Sequence, residues 1–342
     1  MHLTLLRYAL CVLATAAAPA LAAEEPVLNL YSARHYQTDE ALYTNFTKAT
    51  GIKINRIEAG DDQLLERLKS EGAGSPADVL LIVDAARLAQ ARDAGLFSPV
   101  HSTLLENRIP PALRDPEGHW FGFSYRARVI VYNRMTVNPA DVASYDLLGD
   151  PRNKGKVCTR SGSHPYNLSL VAAKLAHDGA AKTQSWANNV VANFARTPRG
   201  GDTDQIKAVA AGECGVALTN TYYYVRLLRS PKPEDREVVA KAGFVWPDQA
   251  THGTHLNIAG GGVLKNAPHR DNALRFLEYL ASDDAQAYFA NGNNEWPVVR
   301  SATGRNAELE SLGTFKADPL PIATLGRNTP EAQKIVDRAG WK

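Results

Sequence analysis

Apolar and polar positions along the chain follow a pattern that predicts strands and helices in alternation. The stretch VLNLYSA predicts a strand, TDEALYTNFTKATG a helix capped by Thr38 or Asp39, and IKINRIEA a second strand. A helix in DDQLLERLKSEG, an apolar strand in ADVLLIVD and a helix in AARLAQARDAG follow. Strands that alternate with helices are typical of a mostly parallel sheet covered on both faces. The first part of the chain is therefore predicted to form an α/β lobe.

The pattern changes in the middle of the chain. HWFGFSYRARVIVYNR, residues 119–134, is long and strand-like and contains few breakers, which predicts a crossing between two lobes. A second alternating series follows, from GKVCTRSG to GVALTNTYYY, and THLNIAGGGVLKN predicts a return crossing. Two α/β lobes joined by two crossing strands leave a ligand cleft between them, beyond the carboxyl ends of the strands.

The start of the chain is predicted to be a secretory signal peptide, residues 1–23. It combines Arg7, an alanine-rich apolar run and the small-residue pattern Ala20-Leu21-Ala22. That run is too short to span a bilayer, so cleavage is expected after Ala22 or Ala23. No later stretch is apolar enough for membrane insertion, and the mature protein is expected to be a soluble monomer in the periplasm.

The two crossings divide the mature chain into discontinuous lobes. The expected N-terminal lobe comprises residues 24–124 and 253–300, and the expected C-terminal lobe comprises residues 125–252 and 301–342. Lys and Arg number 38 against 36 Asp and Glu. A balanced chain gives no electrostatic reason to expect nucleic acid or an anionic membrane as partner.

Two cysteines remain after removal of the signal peptide, Cys158 and Cys214. In an oxidising compartment such a pair is more often a disulfide than two free thiols. Closing a loop of this length would stabilise the fold by roughly 4 kcal/mol on the chain-entropy model. A cysteine metal site is the weaker reading, because the two residues lack the paired spacing of zinc motifs.

Three strand-to-helix loops each carry a tyrosine. Tyr222, Tyr223 and Tyr224 are adjacent, and a helix buries one stripe, so the three rings cannot all be core. Asn220 or Thr221 is expected to cap this helix and to place Tyr222 and Tyr223 in its first turn. His35 and Tyr36 follow the first strand, and Tyr166 follows VCTRSGSHP, in the same arrangement. Partial burial with a solvated hydroxyl explains any one tyrosine, but not three phenols delivered to one sheet edge.

With these motifs the chain resembles the periplasmic ferric-iron-binding proteins, the bacterial transferrin type of substrate-binding component of ABC iron importers. RHY and NTYY in register with the lone Tyr166 resemble the branch whose iron site is mostly tyrosine. Further similar segments, such as SPADVLLIVDAARL and DDAQAYFANGNNEWPVV, extend the resemblance over nearly the whole mature chain. It implies a type II periplasmic-binding-protein fold and a function in ferric iron capture and delivery to an inner-membrane ABC permease.

The resemblance places the iron ligands at Tyr36, Tyr166, Tyr222 and Tyr223, with His35 as a fifth. Tyr224 matches no ligand position and is expected in packing or on the lobe surface. Phenolate is a hard, anionic oxygen donor suited to Fe(III), and a highly charged ion deprotonates the phenol as it binds.

Four phenolates leave one excess negative charge, which requires a cationic partner when buried. Arg126 is expected to face the cleft, and Arg226, one turn after Tyr223, is the second candidate. Arg128 shares the strand face of Arg126 and is expected in a surface ion pair.

Other features leave alternatives open. Some relatives bind phosphate or carbonate as an extra iron ligand, and Ser161, Gly162 and Ser163 could offer backbone N–H groups to such an anion. Neither the anion nor carriage of Fe(II) is settled by the sequence. Three histidines, with no carboxylate or cysteine at ligand spacing, are expected to be structural or exposed: His119, His252 and His255. His164 belongs either beside Tyr166 or on the loop surface.

Two other functions compete with iron binding. The same fold could bind a polyamine, a sugar or an anion, but a polyamine site needs acidic residues where these loops offer phenols and arginines. An enzyme, such as a secreted hydrolase or a redox iron protein, is disfavoured because the chain has no G-x-S-x-G, no H-E-x-x-H and no plausible cysteine nucleophile. The sequence therefore favours a binding protein that is not an enzyme.

Overall fold

The structure is a computed structural model that describes residues 26–34, 38–302 and 306–342. The predicted signal peptide, with its cleavage site, lies outside the described residues, as do His35 and Tyr36.

The first third of the chain forms the alternating elements that its pattern predicts. They are β1 (Val27–Ser32), α1 (Asp39–Thr50), β2 (Lys53–Glu58), α2 (Asp61–Glu71), β3 (Val79–Val83) and α3 (Ala85–Asp93). A short helix that was not predicted, α4 (Thr103–Arg108), follows them. Helix α1 ends at Gly51, which adopts a left-handed conformation (φ 74°) and donates its N–H to Thr47 O. Glycine adopts this conformation without steric cost, so it terminates the helix.

The middle of the chain forms the second series. Its elements are β4 (Phe121–Asn133), β5 (Val157–Cys158), α5 (Pro165–Asp178), α6 (Ala180–Ala192), α7 (Asp202–Ala210), β6 (Val216–Asn220), α8 (Thr221–Leu228), α9 (Pro233–Lys241) and β7 (Ala242–Val245). The last third contains β8 (Leu256–Val263), α10 (Arg270–Leu280), α11 (Asp283–Asn293), β9 (Trp296–Pro297), α12 (Ala307–Glu310) and α13 (Ile322–Ala339).

Strand β4 joins two halves of the sheet, as its length and lack of breakers predict. The strand order is β2-β1-β3-β8-β4-β6-β5, and β7 and β9 each pair with β4. Between Phe121 and Ala127 the strand pairs with β8, whereas between Arg128 and Tyr132 it pairs with β6. We call the part built on β1, β2, β3 and β8 the N-terminal lobe, and the part built on β5, β6 and β7 the C-terminal lobe.

Each lobe has a buried cluster of its own, and a further cluster contains residues of both lobes, such as Leu80 of β3 and Leu218 of β6. Phe46, Phe276 and Phe289 bring α1, α10 and α11 onto the N-terminal sheet. In the C-terminal lobe Tyr224 and Val225 of α8 belong to a cluster that also contains Cys158 and Cys214. The predicted disulfide between these cysteines is confirmed, with a Cα–Cα distance of 5.9 Å. It fixes the end of β5 to the turn that precedes β6.

The last helix, α13, packs against α5 and α6 of the C-terminal lobe and also against α3 of the N-terminal lobe. The contact with α3 is close, because a Cβ added at Gly326 would lie 2.1 Å from the Cβ of Ala89. Among the described residues no helix is both long and apolar enough to cross a bilayer.

Candidate metal site

Two helices of the C-terminal lobe begin at the same edge of the sheet. Strands β5 and β6 are parallel neighbours, with Val157 opposite Val216, so the helices that follow their carboxyl ends start side by side. Asn220 is the N-cap of α8, which places Tyr222 and Tyr223 in the first turn as predicted. Tyr166 lies in the first turn of α5.

The phenol oxygens of Tyr166 and Tyr222 lie 3.0 Å apart. The ring of Tyr223 packs on that of Tyr222, with centroids 4.1 Å apart. All three tyrosines line one cavity of about 880 Å³, to which Ala33 and Val83 contribute from the N-terminal lobe. The structure therefore brings together three of the four predicted phenol ligands.

Tyr224 points away from this cavity. Its side chain is buried, its hydroxyl donates to Ala242 O at 2.8 Å, and its ring packs against Phe244. The expectation that Tyr224 serves packing agrees with these contacts.

Arg126 lies beside the phenols. Its side chain is 1% exposed, and its guanidinium carbon is 5.5 Å from the ring centroid of Tyr166. Burial alone would lower the pKa of Arg126, but the negative charge available at Tyr166, Glu295, Tyr222 and Asp84 raises it. None of its guanidinium nitrogens has a hydrogen-bond partner among the described residues. A buried cation of this kind complements negative charge that develops on the phenols.

Arg226 lies close to the tyrosine pair as well. Its guanidinium carbon lies 5.5 Å from the ring centroid of Tyr223 and 5.9 Å from that of Tyr222. The side chain is exposed and lines the cavity. Arg226 can therefore approach a ligand in the cleft, although water screens its charge more than that of Arg126.

The prediction that Arg128 forms a surface ion pair is wrong. The side chain is 2% exposed, and its guanidinium donates to Asp202 Oδ2 (2.8 Å), Asn220 Oδ1 (3.0 Å) and Asn167 Oδ1 (2.7 Å). Strand β4 is covered on both faces, so an alternating arginine is not directed to solvent. Through these bonds Arg128 ties together the starts of α7 and α5 and the end of β6.

Contrary to the prediction, a carboxylate lies beside His119. Its Nδ1 lies 3.0 Å from Asp115 Oδ2, and with Glu117 the two form a carboxylate–histidine group. Asp115 also accepts the backbone N–H groups of Glu117 and His119, so its carboxylate stabilises a turn. His252 is exposed and stacks on His177, with ring centroids 3.8 Å apart.

The two remaining histidines contact residues of α5, because His164 packs on Tyr166 and His255 forms a hydrogen bond with Ser169. Burial, followed by repulsion from Arg128 and Arg126, lowers the pKa of His255 to about 3. His164 lies beside Tyr166 and not on the loop surface. Its Nδ1 accepts the N–H of Tyr166, the rings are 4.5 Å apart, and burial together with Arg160 lowers its pKa to about 2. Both imidazoles are therefore neutral at neutral pH.

The loop considered for anion binding packs closely against the C-terminal segment. The hydroxyls of Ser161 and Ser163 lie 2.9 Å apart in a hydrogen bond. A Cβ at Gly162 would lie 2.3 Å from Trp341 O. The glycine is therefore required for packing of the C-terminal segment.

A buried ion network that was not predicted from the sequence lies around Arg34. Arg34 Nε lies 2.9 Å from Asp39 Oδ2, and Arg34 Nη1 lies 3.5 Å from Glu295 Oε2. Asn293 Nδ2 donates to Asp39 Oδ1 at 2.8 Å. Arg34 and Asp39 flank residues 35–37 in sequence, whereas Glu295 is far along the chain. From the sequence, only the closeness of Arg34 and Asp39 along the chain could have indicated this network.

Comparison with known proteins decides the family. A family model of bacterial extracellular solute-binding proteins matches residues 41–319. The chain is 49% identical over 322 residues to iron uptake protein A2 of Synechocystis, covering 94% of this chain and 91% of that protein. It is 30% identical to the major ferric iron-binding protein of Neisseria meningitidis, covering 99% of each chain.

The chain belongs to the ferric-iron-binding branch of the bacterial extracellular solute-binding proteins. Within this family the fold is similar to that of the Trichodesmium protein IdiA (FutA) in complex with iron and citrate ligands. The TM-score is 0.89 at 51% identity, with coverage of 92% of this chain and 100% of that one. The ferric binding protein of Campylobacter jejuni gives a TM-score of 0.88 at 38% identity, with coverage of 92% and 100%. The predicted family and the two-lobed type II fold are confirmed.

Proposed function

We propose that this protein captures ferric iron through tyrosine phenolates in the cleft between the lobes and delivers it to an ABC-type permease. The observation that carries the proposal is the convergence of Tyr166, Tyr222 and Tyr223 on one cavity beside the buried Arg126. The names of the Synechocystis and Neisseria relatives support the same cargo.

The donor set accounts for selectivity toward a hard ion. A free phenol has a pKa near 10, and Fe(III) displaces the proton as it binds. Tyr166, Tyr222 and Tyr223 supply three phenolates, and Tyr36 of the N-terminal lobe supplies the fourth, with His35 as a further ligand. Arg126 offsets the remaining negative charge, assisted at the cavity mouth by Arg226.

The same arrangement favours binding over catalysis. Phenolates that fill most coordination positions of the ion leave little room for a substrate to be activated on it. The protein acts in the periplasm after removal of residues 1–23, as a monomer with lobes formed by residues 24–124 with 253–300 and by residues 125–252 with 301–342.

The proposal is tested by metal titration of the purified protein, aerobically with Fe(III) and anaerobically with Fe(II). Each titration is read by visible absorption and elemental analysis. Fe(III) is expected to bind stoichiometrically and to give a red to orange phenolate-to-iron band. Arms with citrate, carbonate or phosphate show whether an anion completes the site. Absence of the visible band with Fe(III) in every arm would refute the proposal.

A further inference from the structure

A buried hydrogen-bond network joins the starts of α3 and α5, and Asn257 of β8 lies at its centre. Asn257 is 4% exposed. Its Nδ2 donates to Asp84 Oδ2 at 2.5 Å and to Ser169 Oγ at 2.8 Å, and its Oδ1 accepts the N–H of Ala85 at 3.0 Å. One side-chain amide therefore bonds to a helix start in each lobe.

On the N-terminal side the network holds a strained residue. Asp84 is the N-cap of α3, accepts the N–H of Ala86 at 2.8 Å, and has a φ of 120°. A non-glycine residue in this region of backbone space is costly and persists only where its surroundings fix it. The bonds from Asn257 to Asp84 and Ala85 are part of that constraint.

On the C-terminal side the network ends at a proposed iron ligand. Ser169 Oγ lies 3.2 Å from the carbonyl oxygen of Tyr166 and 3.0 Å from Nε2 of His255. Ser169 is 1% exposed, so water does not compete for these bonds. The carbonyl of Tyr166 is thus connected through Ser169 to Asn257, and from there to Asp84.

The crossing strands bring a second group to the same tyrosine. Asn257 on β8 is directly opposite Arg126 on β4, and residues directly opposite in an antiparallel pair project from the same face. Arg126 lies over the ring of Tyr166, while Asn257 reaches its backbone through Ser169. One cross-strand pair is therefore connected to Tyr166 in two ways, to its ring directly through Arg126 and to its backbone through Ser169.

We propose that Asn257 is a positioning residue for the iron site, which acts through Ser169 to fix Tyr166 relative to the N-terminal lobe. The inference rests on the proposed function. Asn257 does not touch the metal. It holds the start of α5 where the phenol of Tyr166 can meet donors from the other lobe, and ligand geometry of this kind controls affinity.

The test compares Asn257→Ala and Ser169→Ala with the parent in three measurements. These are Fe(III) affinity by competition with nitrilotriacetate, the position of the phenolate-to-iron band, and urea unfolding without iron. Each variant is expected to bind iron about tenfold more weakly, the usual effect of losing an outer hydrogen bond at a metal site, and to shift the band. Alanine is a good helix former, so Ser169→Ala should leave helix α5 intact. This variant therefore still tests the proposal if Asn257→Ala folds poorly.

Thr183→Ala is the matched control. Thr183 is buried in α6, and its hydroxyl donates to Gly179 O at 2.8 Å, a bond within a helix like that between Ser169 and Tyr166. The control should lower the free energy of unfolding without changing iron affinity or the band.

The double variant Asn257→Ala/Ser169→Ala tests whether the two residues act together. If the two residues form one network, the double variant should lose little more iron affinity than the weaker-binding single variant, because the effects of coupled residues do not add. The inference is overturned if the affinity losses of the two single variants add up in the double variant. It is also overturned if the variants keep the iron affinity and band of the parent and lose only stability, as the control does. Either result leaves the proposed function standing. If the parent itself shows no phenolate band, both are wrong.

Discussion

At the scale of residues, three adjacent tyrosines have three different environments. Tyr222 is 1% exposed and shares a hydrogen bond with Tyr166, Tyr223 is half-buried on the cavity wall, and Tyr224 donates to Ala242 O. Successive residues of a helix point about 100° apart. Adjacent positions in sequence therefore have different environments, and only two of the three rings line the cavity.

Replacing each tyrosine in turn by phenylalanine tests what its hydroxyl contributes. Tyr222→Phe and Tyr223→Phe keep the ring and delete one donor oxygen, so each is expected to lose iron affinity by about a hundredfold or more, beyond the cost of an outer-contact change. Tyr224→Phe is the control and should cost only about 1 kcal/mol of stability from its lost hydrogen bond. Competition titration and urea unfolding provide the two readouts. An equal affinity loss in Tyr224→Phe would contradict the assignment of Tyr222 and Tyr223 as the ligand pair.

The buried His255 makes folding sensitive to acid. Burial lowers its pKa from 6.5 to about 3, with Arg128, Arg126 and His177 as the charged groups that face it. As pH falls from about 6.5 to 3, the unfolded state takes up a proton that the folded state does not, so stability falls. Burial raises the pKa of Asp84 from 3.8 to about 6. Between about pH 6 and pH 3.8 the folded state therefore binds a proton at Asp84 that the unfolded state does not, so this group raises stability as pH falls.

His255→Gln should therefore reduce the loss of stability between pH 6.5 and pH 4, because the unfolded variant has no imidazole to protonate. Urea unfolding of parent and variant without iron at several pH values in this range measures the difference. If the two curves of stability against pH have the same slope, His255 is not responsible for the acid sensitivity.

At the scale of elements, the contact between α13 and α3 joins the two lobes. Gly326→Ala would place a Cβ 2.1 Å from that of Ala89, and such overpacking typically costs 1–3 kcal/mol. The variant is expected to unfold at a lower urea concentration than the parent. Gly74→Ala is the control, since a Cβ there meets nothing within 4 Å. Equal midpoints for Gly326→Ala and the parent would contradict the close packing.

At the scale of the whole molecule, the proposed ligands come from both lobes. Tyr166, Tyr222 and Tyr223 lie in the C-terminal lobe, whereas Tyr36 follows β1 in the N-terminal lobe. Iron should bind first to the three phenolates of one lobe, after which closure brings Tyr36 to the metal. Closure also excludes water and strengthens the attraction between the anionic site and Arg126.

Tyr36→Phe is therefore expected to bind iron more weakly and to remain more open on average. Small-angle scattering of parent and variant, with and without iron, measures the compaction. Affinity of the parent should also fall on acidification, because protons compete for the phenolates. A parent that does not compact on loading, or a variant that closes as fully, would refute this mechanism.

The sequence by itself determined the two α/β lobes, the long crossing strand β4, the disulfide and the edge at which the phenols lie. The disulfide followed from the oxidising compartment and the single pair of cysteines left in the mature chain. The other features follow from local patterns, because a period of two or 3.6 residues fixes an element and parallel strands place their following loops together. Family membership also followed from short motifs at these loops.

Only the tertiary structure decided the partners of the buried polar groups. Arg128 bonds to Asp202, which lies 74 residues away, and Asn257 bonds to Asp84 at a separation of 173 residues. No local period links such positions, so the sequence placed Arg128 on the surface and gave no function to Asn257. Burial removes these groups from water, and each then requires a partner that only the packing of distant elements can supply.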